Sequence, residues 1–149
     1  MPSSDRIEKQ IELKAPRARV WRALTDAGEF GSWFGVELAD RFEPGARVRG
    51  KITMKGQDFP FEVTVERMEP EQLFSFRWHP FAVEPDFDYS KEPMTLVEFT
   101  LEEVPGGTQL TLTESGFDRL PPARRAKAFP ANEGGWAKQM QLIEKYVAP

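Results

Sequence analysis

The sequence predicts an α+β domain in which a curved antiparallel sheet of about seven strands packs around one long C-terminal helix. Apolar and polar residues alternate along most segments between Ile7 and Glu114, which is typical of half-buried strands. Short turns join these segments, which favours antiparallel pairing. The last segment, Asn132–Val147, repeats apolar residues at helical spacing, so its apolar stripe must be buried against the sheet.

One strand and two short helices open the chain. Ile7–Leu13 alternates and predicts the first strand. Pro16 then starts a helix, because proline is pre-organised for the first helical turn. The apolar face of this helix consists of Val20, Trp21 and Leu24. Asp26–Phe34 predicts a second short helix that ends at Gly35.

Six further strands are predicted between the second helix and the closing helix. Their ranges are Val36–Phe42, Arg47–Met54, Phe59–Met68, Leu73–Trp78, Met94–Glu102 and Gln109–Glu114. Pro-Gly pairs at 44–45 and 105–106 mark turns between them. The polar face carries Arg47, Arg49 and Lys51 on one strand and Glu62 and Glu66 on the next. Opposite charges on neighbouring strands indicate a solvated face with cross-strand pairs, in preference to a binding patch.

The closing helix carries its apolar stripe on Trp136, Met140, Ile143 and Val147. We expect Asn132 to cap its first turn, and Gly134-Gly135 to let it approach the sheet closely. The preceding segment, Leu120–Pro130, contains the basic residues Arg124, Arg125 and Lys127. We interpret them as solvated side chains of a helical turn; a phosphate or nucleic-acid site is the alternative.

The composition fits a single domain over residues 1–149. The net charge of −4 does not favour binding to nucleic acid or to an anionic membrane. Cysteine is absent, which excludes disulfides, a thiol nucleophile and a thiolate metal site. The first ten residues carry no apolar segment typical of a secretory signal, and no window is long and apolar enough for a membrane span. We therefore expect a cytoplasmic protein.

Several motifs occur in an order and spacing that match a known family. They are Ala15-Pro16-x-x-x-Val20-Trp21-x-Ala23-Leu24-Thr25-Asp26, Trp33-Phe34, Val97-x-Phe99-x-Leu101, Gly106-Gly107-Thr108-x-Leu110-x-Leu112, Glu114-Ser115-Gly116-Phe117 and Asn132-x-Gly134-Gly135-Trp136. Together they resemble the START-like superfamily (SRPBCC, Bet v 1-like), and most closely the branch named after the activator of Hsp90 ATPase. The resemblance covers nearly the whole chain.

The resemblance implies a helix-grip fold, with a cavity between the sheet and the closing helix. It leaves the function open, because the superfamily includes lipid and hormone carriers, plant ligand-binding proteins and aromatase/cyclase enzymes, and the eukaryotic name-giver is a co-chaperone. Twelve Phe and four Trp favour an aromatic-lined cavity, although the same residues can fill a closed core. The predicted ligand-binding residues are Trp33, Phe61, Phe76, Trp78, Phe81, Tyr89, Phe99, Leu112, Trp136 and Met140.

Two charged residues interrupt the apolar face of the sheet. Lys9 lies between apolar residues of the first strand, and Glu114 follows Leu110 and Leu112 on the last. The two strands are expected to be neighbours. We predict that Lys9 and Glu114 pair at the cavity edge, because a lone buried charge costs several kcal/mol. The alternative is that both side chains reach water at the strand ends.

The sequence contains no recognisable catalytic or metal motif. His79 is the only histidine, and we interpret it as a structural or surface residue. If the protein catalyses a reaction, His79 with Glu98 or Asp86 would be the first candidates, but we assign no catalytic residue. The acidic residues near Asp86 lack the glycine and terminal glutamate of a calcium-binding loop, so we expect no metal and no cofactor.

The segment His79–Pro93 is long for a hairpin connection and rich in aromatic, acidic and proline residues. We consider it either a lid or a packed surface loop. In a lid, aromatic residues such as Phe81 and Tyr89 would lie over the mouth of the cavity or against a partner chain.

The leading functional hypothesis is non-enzymatic binding of a small hydrophobic or aromatic ligand by a monomer or homodimer. The alternatives are a co-chaperone that contacts a chaperone or other ATPase partner, and a cyclase or hydrolase that uses the same cavity. An enzyme would bring polar groups with perturbed pKa values together inside the cavity.

Overall fold

Seven strands form one antiparallel sheet in the computed structural model, which describes residues 6–54, 56–82 and 88–149. The strands are β1 (Arg6–Leu13), β2 (Glu37–Leu38), β3 (Arg47–Met54), β4 (Gln57–Glu69), β5 (Leu73–Trp78), β6 (Thr95–Val104) and β7 (Gly107–Ser115). Their order across the sheet is β1-β7-β6-β5-β4-β3-β2. The first and last strands are therefore neighbours, as the sequence predicted.

The described residues form three α-helices beside the sheet: α1 (Arg17–Thr25), α2 (Ala27–Phe34) and α3 (Pro122–Val147). Short 3-10 helices lie at Tyr89–Lys91 and Phe117–Arg119. The carboxylate of Asp26 accepts a hydrogen bond from the backbone N–H of Glu29 and so caps α2. Gly35 ends α2 in the left-handed conformation, with φ of 89°. The predicted α+β helix-grip arrangement is confirmed.

The outer face of the sheet is charged and solvated. Glu62 on β4 pairs with Arg49 and Arg47 on β3, at Nε–Oε distances of 2.9 and 3.7 Å. Arg77 on β5 pairs with Glu66 on β4. These side chains are all at least one third exposed, so each pair contributes at most about 1 kcal/mol. The interpretation of this face as a solvated surface is confirmed.

The inner face of the sheet forms the hydrophobic core with the helices. Alternate residues of β4 to β7 are buried there, and α3 closes the core with its own apolar stripe. The buried residues of α3 are Ala128, Trp136, Met140, Ile143 and Val147. The core therefore lies between a concave sheet and one long helix.

Two elements differ from the predictions by more than two residues. The predicted strand Val36–Phe42 is reduced to β2, a short edge strand that pairs only with β3. Helix α3 begins at Pro122 instead of Asn132 and continues through Pro130. Proline at the start of a helix loses no hydrogen bond, which favours the earlier beginning. The expected capping role of Asn132 is therefore wrong, because this residue lies inside the helix.

The two glycines of α3 do not mediate a close approach to the sheet. A Cβ built on Gly134 or Gly135 would meet no heavy atom within 4 Å, and both residues are exposed. The expectation that they let the helix approach the sheet is wrong. They cost backbone entropy without any packing gain.

Gly134→Ala is therefore expected to increase the free energy of unfolding by about 0.5–1 kcal/mol, because alanine restricts the unfolded chain and favours the helix. Urea unfolding measures the change. Gly107→Ala is the contrasting variant, since a Cβ there would lie 1.9 Å from the carbonyl oxygen of Leu13, and it should destabilise. A loss of stability in Gly134→Ala would contradict an open helix surface at this position.

Candidate functional site

A buried carboxylate lies at the centre of the site. The inward alternation of β7 places Leu110, Leu112 and Glu114 on the concave face, and the side chain of Glu114 is fully buried. Its Oε1 accepts hydrogen bonds from Trp136 Nε1 at 2.8 Å and Asn132 Nδ2 at 2.9 Å. Its Oε2 accepts from Trp78 Nε1 at 2.7 Å and Thr95 Oγ1 at 2.5 Å. We call these five residues the Glu114 cluster.

The sheet register and helix spacing bring these residues together. Trp78 at the end of β5 pairs with Thr95 at the start of β6, so both side chains lie on one face. Glu114 on β7 pairs with Val97 on β6. Thr95 lies two residues before Val97, so Glu114 and Thr95 are diagonal neighbours. Asn132 and Trp136 are four residues apart on α3 and share the helix face that meets the sheet.

In the described part of the chain, four neutral donors satisfy Glu114 and no cation pairs with it. An ionised carboxylate offers about four acceptor sites, and the two indoles, the hydroxyl and the amide occupy that number. Within the described residues no Lys, Arg or His nitrogen lies within 4 Å of this carboxylate. Hydrogen bonds alone therefore offset the cost of burying it.

The predicted ion pair between Lys9 and Glu114 is wrong. In the register of β1 with β7, Lys9 lies opposite Leu112, and Ile7 lies opposite Glu114. Lys9 is only partly buried, whereas Glu114 accepts from neutral donors on β5, β6 and α3. The alternative that Glu114 reaches water at a strand end is also wrong, because the residue is fully buried.

An aromatic cluster of Phe34, Phe61, Trp78 and Trp136 lies beside the carboxylate. Phe34 at the end of α2 contacts the other three rings, with centroid distances of 5.8 Å to Phe61, 6.2 Å to Trp78 and 5.9 Å to Trp136. Trp78 lies 5.7 Å from Trp136 and 5.9 Å from Phe61. Phe34 and Trp78 are partly exposed, and Phe61 and Trp136 are buried. This cluster therefore extends from the core to the surface.

Most predicted ligand-binding residues lie on the inner side of the sheet or the facing side of α3: Phe61, Phe76, Trp78, Phe99, Leu112, Trp136 and Met140. Trp33 lies on α2, where its indole N–H donates to the carbonyl of Ala23 at 2.8 Å and its ring lies 5.7 Å from that of Phe34. Phe81 and Tyr89 belong to the segment after β5. The sequence prediction missed Phe34, Thr95 and Asn132 as members of this site.

Arg124 joins the first turns of α3 to the segment between β5 and β6. Its guanidinium donates to the Glu92 carboxylate at 2.7 Å and to the carbonyls of Pro80 and Phe81 at 2.6 and 3.3 Å. It also lies over the Tyr89 ring, 4.8 Å from the centroid. The side chains of Arg124 and Glu92 are 14% and 9% exposed. We call this arrangement the Arg124 clasp; the interpretation of Arg124 as a solvated side chain is wrong.

The clasp holds both ends of the segment 79–93. A ring nitrogen of His79 lies 3.2 Å from the carbonyl oxygen of Glu92. Hydrogen bonds from the Ser90 hydroxyl and backbone N–H lower the pKa of exposed Asp88. Phe81 is 38% exposed and has a positive φ of 50°. The middle of the segment, residues 83–87 with Asp86, lies outside the described residues, and the lid stays a prediction.

Two of the catalytic candidates, His79 and Glu98, do not contribute a hydrogen bond to the buried carboxylate. His79 contacts the backbone of Glu92, and Glu98 alternates with the buried Val97 and Phe99 on β6. Within the described ranges no group of three or more His, Cys, Asp or Glu residues is placed to hold a metal ion. None of the described helices is long and apolar enough to cross a membrane.

An open surface depression of about 640 Å³ lies elsewhere on the molecule. It is lined by Lys14, Ala15, Pro16 and the β6–β7 turn, residues 103–107. Gly107 and Glu114 are at opposite ends of β7, roughly 23 Å apart at about 3.3 Å per residue. The depression is open and no aromatic residue lines it. The Glu114 cluster combines a buried carboxylate with aromatic side chains and is therefore the better candidate site.

Comparison with known proteins agrees with this architecture. The model of the family described as activator of Hsp90 ATPase homolog 1-like protein matches residues 14–148. The chain belongs to this family. Membership confirms the resemblance to the START-like superfamily, in which ligand binding is common. No match was found among the curated proteins.

Several solved structures share this fold. A protein from Mesorhizobium loti is 23% identical, with a TM-score of 0.75 and 95% of each chain covered. One from Chromobacterium violaceum is 19% identical, with a TM-score of 0.79 and 99% of each chain covered. DynU16, a protein of the dynemicin biosynthetic locus, is 27% identical, with a TM-score of 0.73; the alignment covers 97% of this chain and 47% of DynU16.

Proposed function

We propose that this protein binds a small hydrophobic or aromatic molecule, without catalysis, between the concave sheet and α3. The observation that carries the proposal is the aromatic cluster beside a buried carboxylate. Ligand sites are usually apolar surfaces with a few well-placed polar groups, and this region has that composition. Membership of a superfamily in which ligand binding is common supports the same proposal.

The ligand would enter between rings that now contact one another. Phe34 contacts Phe61, Trp78 and Trp136, and it is partly exposed at the end of α2. A ligand would displace the Phe34 ring and stack on the two indoles. Gly35 follows Phe34 directly and is in the left-handed conformation. Because glycine adopts many backbone conformations, the backbone at this helix end can change to let the Phe34 ring move.

β-Methylnaphthalene is a suitable probe because it is aromatic, small and without polar groups. At a concentration about ten times its Kd, we expect it to raise Tm by roughly 3–5 °C and to quench tryptophan fluorescence. Trp78→Leu should weaken its binding about fivefold to tenfold, since the stacked ring is lost.

Trp21→Leu is the matched control, because Trp21 is a partly buried residue of α1 outside the aromatic cluster. It should bind the probe like the wild type. Equal weakening in both variants would point to a general effect of tryptophan loss. Absence of any Tm shift across a panel of small aromatic hydrocarbons would contradict the proposed function.

A further inference from the structure

We infer that the ligand donates a hydrogen bond to Glu114, which restricts it to apolar aromatic molecules that carry a hydroxyl or amino group. This inference rests on the proposed function and adds a chemical selection to it. It follows from three observations: Glu114 is the shared acceptor of its cluster, two of its donors are partly exposed, and the described residues place no cation at the carboxylate.

Within the cluster Glu114 accepts every hydrogen bond and its four partners donate. Glu114 is the shared acceptor, and the Trp78 and Trp136 indoles and the Asn132 amide donate to it. A ligand hydroxyl or amino group can replace one of these donors and keep the carboxylate satisfied. A ligand carboxylate would place a second acceptor, and a second negative charge, against the first.

The four donors differ in accessibility. Thr95 and Trp136 are buried, at 0% and 2% exposure, and are held in the sheet and the core. Trp78 and Asn132 are only partly buried. Each of these two supplies one hydrogen bond, to Oε2 and Oε1 respectively. A side-chain rotation of Asn132 therefore frees one acceptor position on the side of the cluster that is nearer to solvent.

Among the described residues, no cationic protein group competes for that position. The described residues place no Lys, Arg or His nitrogen within 4 Å of Glu114, so the carboxylate has no ion pair that a ligand must break. The neighbouring indole and phenyl faces suit the aromatic part of the ligand. They also tolerate an ammonium group, because aromatic faces attract cations.

Three probes of similar shape test this selection: β-naphthol, β-methylnaphthalene and β-naphthoate, each titrated against tryptophan fluorescence. We expect β-naphthol to bind about tenfold or more tightly than β-methylnaphthalene, and β-naphthoate to bind most weakly. Glu114→Gln should reduce the preference for naphthol to less than about threefold, because an amide accepts at only one atom.

Asn132→Ala is a second variant that leaves Glu114 in place and opens one acceptor position. It should increase the preference for β-naphthol over β-methylnaphthalene, even if Glu114→Gln fails to fold. A reduced preference in Asn132→Ala would overturn the inference. An unchanged preference for β-naphthol over β-methylnaphthalene in Glu114→Gln would also overturn it.

The outcomes also separate the inference from the proposed function. If β-methylnaphthalene binds and β-naphthol binds no more tightly, the selection by Glu114 is wrong and the apolar site stands. If none of the three probes binds, both the inference and the proposed function are overturned.

Discussion

Glu114→Ala is expected to lower the free energy of unfolding by about 3–5 kcal/mol. The change removes the shared acceptor of four donors, two of them fully buried, and leaves space in the core. Glu114→Gln keeps the volume but replaces one acceptor oxygen by a donor, and should cost about 2 kcal/mol. Urea unfolding, followed by circular dichroism, measures both.

Glu102→Gln is the matched control, because Glu102 lies exposed on the neighbouring strand β6. It should change the stability by less than about 0.5 kcal/mol. A double variant tests the mechanism, because Trp136→Phe removes an indole N–H that donates to Glu114. The stability losses of Trp136→Phe and Glu114→Gln, added together, should exceed the loss measured in the double variant. Full additivity, or a stable Glu114→Ala, would contradict the central role of the carboxylate.

Arg124→Ala is expected to destabilise the protein by about 2–3 kcal/mol. The substitution removes three hydrogen bonds and leaves the Glu92 carboxylate, 9% exposed, without its cation. Because the clasp fastens both ends of the segment between β5 and β6, amide hydrogen exchange of residues 79–82 and 88–92 should accelerate more than exchange in β7. Mass-spectrometric hydrogen exchange measures this directly.

Lys127→Ala is the control for Arg124→Ala, since Lys127 is an exposed basic residue on the same helix. It should leave both stability and exchange unchanged. Combining Arg124→Ala with Glu92→Gln should recover part of the lost stability, because the unpaired carboxylate is removed. Unchanged exchange at 79–82 in Arg124→Ala would show that the clasp does not hold this segment.

The architecture was predictable because it depends on local patterns. Alternation along the strands identified the inner face, and the spacing of Trp136, Met140 and Ile143 identified the face of α3 that meets the sheet. The start of α3 was missed because Leu120–Pro130 was interpreted as a separate helical turn before a cap at Asn132. The helix instead begins at Pro122 and continues through Pro130.

The centre of the site was only half predictable. Alternation placed Glu114 on the apolar face, which marked it as unusual. Its partners come from β5, β6 and α3, up to 36 residues away in the chain, and a pattern along one strand cannot identify them. Asn132 gave a usable signal, since it lies four residues before Trp136 and so shares its helix face.

The contacts of the Arg124 clasp could not be predicted from the local sequence either. A basic run beside prolines is usually solvated, and nothing near Arg124 in the sequence distinguishes it from Lys127. Its environment depends on Glu92, 32 residues earlier, and on carbonyls after β5. Tertiary contacts of this kind are decided by the course of the loop, which the local sequence pattern does not specify.

The central claim is that an aromatic ligand binds at the Glu114 cluster, and the indole N–H signals in a proton–nitrogen correlation spectrum test it most directly. The chain has four tryptophans; Trp78 and Trp136 donate to Glu114, whereas Trp33 donates to the carbonyl of Ala23. Addition of β-naphthol is predicted to shift the Trp78 and Trp136 signals strongly and that of Trp21 little. Unshifted Trp78 and Trp136 signals, or equal shifts of all four, would contradict the claim.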